Sequence, residues 1–303
     1  MQSGGGDEDV IGSSVEGRPL RRYRLGSGPV KVLLTGLMHG VEVIGAMALQ
    51  ALIRRLVSRG PRADRVLAAM TFEVVPVVNP DAFETNLARL ADGLGAGQRG
   101  NARGVDLNRN FPVTAGKRSW HPFSGSRLPF SPHYAGPRSL SEPESRALCE
   151  VASQSKPDLS LAFHSFGNML LFPWAHSFER HPAARAYEAM GAAMNAEMNG
   201  PRYQVKPSAQ LYPVIGDFDD WLDAEFGTMA MTVEVSALDR RLLHPRRLLN
   251  AFSWMNPTRV TETTDALVPG LVALLEQAAG ITAAPVRLDP PSRRVMPLVA
   301  ANK

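Results

Sequence analysis

The sequence predicts a single-domain α/β protein built on a largely parallel sheet, and three observations carry that expectation. Val32–Thr35, an apolar run with β-branched residues, is followed by the Ala- and Leu-rich stretch Val43–Ile53 and then by a second such run, Thr71–Val78. Strand, helix and strand in that order form a βαβ unit, which pairs its strands in parallel. Two further apolar runs, Asp158–Phe163 and Thr228–Val235, lead like the first into a histidine or a glutamate. Finally, no internal repeat and no linker divides the chain.

Taken in order, Met1–Ser14 reads as a flexible N-terminus, and the loose lead-in extends to about Arg18. Leu20–Leu25 alternates as a strand, and Gly26-Ser27-Gly28-Pro29 turns the chain into Val32–Thr35. A helix follows to about Arg59, then the strand Thr71–Val78, closed by the turn Asn79-Pro80-Asp81. From Gly93 to about Arg138 the chain is rich in Gly, Pro, Arg and Ser without periodicity, which points to a functional loop. Ser141 and Glu144 have capping-box spacing for a helix over 143–154. Later come a short strand over Met169–Phe172, a helix over Pro182–Asn199, a helix over about Phe218–Glu225 and a last helix over Thr264–Ala279. The globular domain spans 15–280, and 281–303 forms a Pro- and Arg-rich tail.

Composition excludes several function classes. With 44% hydrophobic and 20% charged residues the chain is neither disordered nor fibrous. The net charge is +4, but the densest basic cluster, Arg240–Arg247, has no interleaved aromatics and reads as a solvated face, not a nucleic-acid patch. No apolar run approaches the ~20 residues of a membrane span. The N-terminus lacks the charged and apolar regions of a secretory signal, so a cytoplasmic location is expected. The one cysteine, Cys149, forbids an internal disulfide and sits in an amphipathic helical pattern as a core residue.

Four polar residues stand at or just beyond the ends of apolar strands: His39, Glu42, His164 and Glu234. A buried carboxylate without a partner is strongly penalised, so such placement implies use. Two His and one Glu can hold a catalytic Zn²⁺ with an open position, and a second carboxylate can take a proton from the water bound there. By itself His39-Gly40-Val41-Glu42 is a weak signal, and a lone histidine at a strand end is more often structural.

Jointly, these residues and their order resemble the zinc metallocarboxypeptidases of the carboxypeptidase A and B type, over roughly Val15 to Leu275. The resemblance implies a mixed, mostly parallel sheet of about eight strands with helices on both faces. It implies that His39, Glu42 and His164 bind one Zn²⁺ and that Glu234 is the general base acting on the zinc-bound water, whose pKa zinc lowers towards ~7. Asn108 and Arg109, in Val105-Asp106-Leu107-Asn108-Arg109-Asn110-Phe111, match the pair that grips a substrate's C-terminal carboxylate, and arginine's planar fork suits that task. Tyr212 matches a tyrosine that closes over the carboxylate; the steps of eight residues to Asp220 and fourteen more to Glu234 are similar to the family's. Arg99 is the candidate for oxyanion stabilisation, with Arg103 as the alternative. Asp219 aligns with the pocket-base position that is acidic in B-type enzymes, while Asp217, Asp219 and Asp220 compete to cap the helix there.

Two departures bear on the substrate. Val41 stands where the digestive enzymes carry arginine, and Phe166 where they carry tyrosine. The family's long pro-segment is also missing, so the enzyme would be made active. The expected function is removal of a C-terminal amino acid with a lean towards Lys- or Arg-like side chains. The expected partner is a peptide or murein peptide with a free C-terminal carboxylate, with no role for nucleic acid or membrane. Gly104–Pro112 and Gly136–Glu144 also resemble the bacterial amidases that split γ-D-glutamyl-diaminopimelate. N-acyl amino acid deacylation is a more distant alternative. A metal-free binding protein on the same scaffold would have lost a ligand or Glu234, and all are present.

Overall fold

In the computed structural model, which describes residues 7–113, 121–238 and 250–282, eight strands form one mixed sheet. They are β1 (Glu8–Ser13), β2 (Pro19–Gly26), β3 (Val30–Gly36), β4 (Met70–Val75), β5 (Leu159–His164), β6 (Met169–Phe172), β7 (Gln204–Pro207) and β8 (Met229–Glu234), in the order β1-β2-β4-β3-β5-β8-β6-β7. The central strands β4, β3, β5 and β8 run parallel; β1, β2 and β6 are added antiparallel, and β7 pairs parallel with β6. The helices are α1 (Val43–Val57), α2 (Pro61–Ala69), α3 (Pro80–Ala91), α4 (Pro143–Ser155), α5 (Ala184–Glu197), α6 (Phe218–Phe226), α7 (Ala251–Met255) and α8 (Val260–Thr282).

Because side chains alternate along a strand, the central strands feed two cores. Val32 and Leu34, Leu159, Leu161 and Phe163, and Met231 and Val233 pack with α1, α2, α5 and α8 on one face. Leu33, Val75 and Ala230 pack with Leu148 and Val151 of α4 and with Phe218, Trp221 and Leu222 of α6 on the other. Burial on both faces is why these strands read as nearly unbroken apolar runs. Removing one fully buried side chain, as in Leu161→Ala, would cost about 2–5 kcal/mol.

The ends of the chain differ from the sequence expectation. The lead-in expected to be loose contains β1, whose acidic residues meet the basic ones of β2: Asp9 accepts from Arg22 Nε at 2.9 Å, and Glu8 pairs with Arg21. The following turn is tied down by Ser14 Oγ donating to Asp81 (2.6 Å) and Val15 N donating to Glu144 (3.0 Å). The C-terminal helix α8 is longer than the predicted 264–279 at both ends. Of the predicted tail 281–303, the first two residues belong to α8, and the rest, the Arg240–Arg247 cluster and Met1–Gly6 lie outside the described residues.

Helices α2 and α3, not foreseen, both begin with proline at their first turn, where its missing N–H costs nothing. The predicted Ser141/Glu144 capping box does not form. Glu142 is the N-cap residue without a side-chain bond, Ser141 Oγ donates to Glu142, and Glu144 is drawn away by Val15 N and Asn101. Among the described residues no helix is long and apolar enough to cross a membrane.

Candidate metal centre

Parallel pairing of β3, β5 and β8 brings their carboxyl ends to one edge of the sheet, the side on which open α/β sheets bind ligands. His39 lies three residues beyond β3, His164 ends β5, and Glu234, in register with His164, ends β8. Two glycines allow the approach. A Cβ on Gly40 would meet Ala82 of α3 at 2.2 Å, and one on Gly45 in α1 would meet the Phe163 carbonyl oxygen at 2.7 Å. The second contact lets α1 press against β5 and carry Glu42 to His164. Glu42 is the N-cap residue of α1 but makes no side-chain cap bond. Asn256 does that work, accepting from Ile44 N at 2.8 Å and donating to the Val41 carbonyl oxygen at 2.8 Å. Glu42 is thereby released for the site.

The three candidate ligands converge. His39 Nδ1 lies 3.0 Å from Glu42 Oε1, His164 Nδ1 lies 2.9 Å from Glu42 Oε2, and the two Nδ1 atoms are 3.0 Å apart. All three side chains are buried, and among the described residues this is the one group of three or more His, Cys, Asp or Glu placed to hold a metal ion. Two imidazole nitrogens facing each other across a carboxylate need a positive charge between them, a proton or a cation. Burial opposes ionisation of Glu42, but His39 and His164 outweigh it and hold its carboxyl well below the usual range. Burial also lowers the His164 pKa against the pull of Glu42, favouring the neutral imidazole that a metal requires. Two imidazoles and one carboxylate fit Zn²⁺ with a position left for substrate or water.

Asp106, inside the Val105–Phe111 motif, organises the back of the site, a role that its position in the sequence does not reveal. Fully buried, it faces His39 Nε2 at 3.1 Å, accepts from Arg99 Nε at 3.0 Å and from Asn108 N at 3.1 Å, and faces His133 Nδ1 at 3.4 Å. Burial opposes its ionisation, but Arg99, Arg109 and His39 hold its pKa well below normal. An ionised acceptor at Nε2 keeps the His39 proton there and turns the Nδ1 lone pair towards the site.

Of the two candidate arginines, Arg99 is at the site: NH1 donates to Glu42 Oε1 at 2.9 Å, and Asp106 and Glu42 raise its pKa despite burial. Arg103 points elsewhere, towards Glu142 at 3.5 Å, and its side chain is 56% exposed. Arg109 is buried, with Nε donating to the Phe123 carbonyl oxygen (3.2 Å) and NH1 to that of Asn108 (2.8 Å). The Asn108 side chain is drawn to α6, its Nδ2 donating to Asp217 (2.9 Å) and its Oδ1 accepting from Phe218 N (3.0 Å). Tyr212 is half-buried, stacked on His121 with centroids 5.6 Å apart and edge-on to Phe123 at 5.6 Å; it lies within electrostatic reach of Arg99.

Glu234 keeps part of its side chain accessible, yet its Oε2 is enclosed without a hydrogen-bond partner. Burial and the Glu42 charge push its pKa well above normal, while Arg99 and Arg109 pull it down. The helix-capping question is settled in favour of Asp217, whose carboxylate accepts from the backbone N–H groups of Asp219 and Asp220 at 3.2 Å each. Asp220 instead accepts from Ala175 N at 2.8 Å. That leaves Asp219, 2% exposed, accepting from Thr232 Oγ1 at 2.7 Å through one oxygen while the other has no partner. Burial and the Asp217 charge push its pKa well above normal. The two departures are both apolar contacts: Val41 is fully buried, and Phe166 meets Trp254 edge-on at 6.0 Å. Cys149 is partly buried against the second core, and burial pushes its thiol up to about 12.

Comparison with known proteins agrees with this geometry. The zinc carboxypeptidase family profile matches residues 8–253. A carboxypeptidase B from Astacus astacus is 29% identical over 252 residues, covering 75% of this chain and 78% of that one. The chain spans about half the length of several further carboxypeptidase A and B relatives. Among solved structures, carboxypeptidase A from Helicoverpa armigera superposes with a TM-score of 0.74 at 22% identity, over 92% of this chain and 69% of that one. A murein-tripeptide amidase from Escherichia coli O157 superposes with a TM-score of 0.53 at 21% identity, over 91% of this chain and 93% of that one. At these identities the structural likenesses speak to the fold alone.

Proposed function

Because the chain belongs to the zinc carboxypeptidase family, we propose that it removes C-terminal residues from peptides, with a preference for basic side chains. One observation carries the preference: Asp219 is buried, excused from helix capping by Asp217, and has an oxygen without a partner. A buried carboxyl left unsatisfied is costly unless a ligand completes it. A Lys or Arg side chain supplies both the missing donor and the missing charge.

The chain's own residues divide the remaining work. His39, Glu42 and His164 would hold zinc, which when bound would supply Lewis acidity to acidify water and polarise a carbonyl. Glu234 takes a proton from the water whose oxygen adds to the scissile carbonyl carbon and delivers it to the amine nitrogen as the C–N bond breaks. Burial raises its pKa towards the working range of a base that must also act as an acid. Arg109 offers its guanidinium to the terminal carboxylate, and the Asn108 amide, one N–H of which goes to Asp217, has its second N–H to add beside it. Tyr212 covers the carboxylate from the rim. Arg99, anchored by Asp106, brings a fixed positive charge close to the scissile carbonyl, where negative charge develops.

A distal ammonium would meet the same Asp219, so γ-D-glutamyl-diaminopimelate is the second substrate to test. The zinc-loaded protein is incubated with a murein tripeptide and with peptides ending in Lys, Arg, Leu or Phe. Release of Lys and Arg ahead of Leu and Phe supports the proposal. Cleavage of the murein peptide alone replaces it with the amidase reading, and release of Leu or Phe alone removes the role given to Asp219.

A further inference from the structure

The loop between Arg109 and α4 contains a short segment that touches both predicted readers of the terminal carboxylate. The Phe123 carbonyl oxygen accepts from Arg109 Nε at 3.2 Å, while its ring lies edge-on to Tyr212 at 5.6 Å. His121 covers the face of Tyr212, with ring planes 9° apart. Its Nδ1 in turn accepts from Phe123 N at 3.3 Å, which ties the two bracing rings together. The next residue, Ser124, is fully buried and fixes the tyrosine's loop on its C-terminal side. Its Oγ donates to the Pro213 carbonyl oxygen at 2.6 Å, and its own carbonyl accepts from Ile215 N at 3.0 Å. The Phe123 ring also meets His133, tilted at 5.1 Å, and His133 faces Asp106. The tyrosine is therefore braced by two rings and by the bonds of Ser124 to its loop, all from residues outside the His39, Glu42 and His164 group.

We infer that Phe123 is a positioning residue for the carboxylate subsite, setting Arg109 through its backbone and Tyr212 through its ring. This rests on the carboxypeptidase reading above. Bracing Tyr212 beside Arg109 lowers the cost of closing it over a terminal carboxylate. It acts on KM more than on kcat, since the scissile bond and Glu234 are untouched.

Phe123 is 48% exposed, so Phe123→Ala leaves the core intact and keeps the backbone carbonyl that holds Arg109. Two measurements test the inference. In the first, the chain's five tyrosines are replaced by 3-fluorotyrosine and the Tyr212 signal is assigned with Tyr212→Phe. The metal-free Phe123→Ala protein should then show a shifted and broadened Tyr212 ¹⁹F resonance, with the other four unmoved. In the second, KM and kcat are compared for wild type, Phe123→Ala, Tyr212→Phe and the double variant on the best-cleaved blocked dipeptide. Loss of one aromatic pair should raise KM about three- to tenfold with kcat within about twofold, and the effect should fall below about twofold in the Tyr212→Phe background. An unmoved Tyr212 resonance overturns the brace, and equal KM effects in both backgrounds overturn its role in the subsite. Should wild type release no C-terminal residue, the carboxypeptidase reading fails and the subsite role with it, while the fluorine spectrum still decides the brace.

Discussion

His39 Nε2 lies 3.1 Å from Asp106 Oδ1, and this pairing leaves Nδ1 as the imidazole nitrogen free for a metal. Asp106 is fully buried and held ionised by two arginines, so it acts as a rigid acceptor for the Nε2 proton. Asp106→Asn should lower zinc affinity about 10–100-fold, measured by competition with a chelator. Unchanged affinity would mean that His39 is oriented by its own packing.

Glu234→Gln should retain zinc and substrate binding while kcat falls about 10²–10⁴-fold. Binding of a slowly cleaved peptide, followed by calorimetry, separates the two effects. Activity near that of wild type would move the proton-transfer role to another group.

Asp219→Asn should reduce kcat/KM for Lys and Arg termini on the order of a hundredfold, because it removes one partner of a buried charge pair. Leu and Phe termini should change far less. A uniform loss across all four would assign Asp219 to structure through its Thr232 bond.

Asp217 predicts a pH effect on stability. Burial and the Asp220 charge push its carboxyl up to about 6, against the pull of Arg109. Between the unfolded value, about 3.9, and that folded value, the native chain keeps a proton that the unfolded chain releases. This contribution to stability therefore declines as pH rises from about 4 to about 6. Asp217→Asn should remove that decline, so urea midpoints of wild type should drop relative to the variant across this window. A pH-independent difference between the two curves would contradict it.

Much of this site is legible in the chain because the strands that carry it are buried on both faces. Val32–Thr35, Leu159–Phe163 and Met229–Val233 have no competing pattern, so their polar ends stand out as His39, His164 and Glu234. The elements that escaped are those whose partners are distant. The acidic residues of β1 suggest flexibility until Arg21 and Arg22 neutralise them. Ser141 and Glu144 have capping spacing, but Glu144 is claimed by Val15, 129 residues away. Helices α2 and α3 did carry local signals, Pro61 after Gly60 and Pro80 after Asn79, the latter pair read only as a turn. Which of three adjacent aspartates caps α6 depends on Asn108 and Thr232, and only the folded chain brings these together.

Zinc content tests the central claim most directly. Wild type and Glu42→Gln are purified with zinc present, desalted, and measured by atomic emission. About one zinc per chain is expected for wild type and well below that for the variant, with wild-type peptidase activity lost on chelation and restored by zinc. Wild type holding well under one equivalent, or Glu42→Gln holding as much as wild type, would contradict the assignment of His39, Glu42 and His164 as the metal centre.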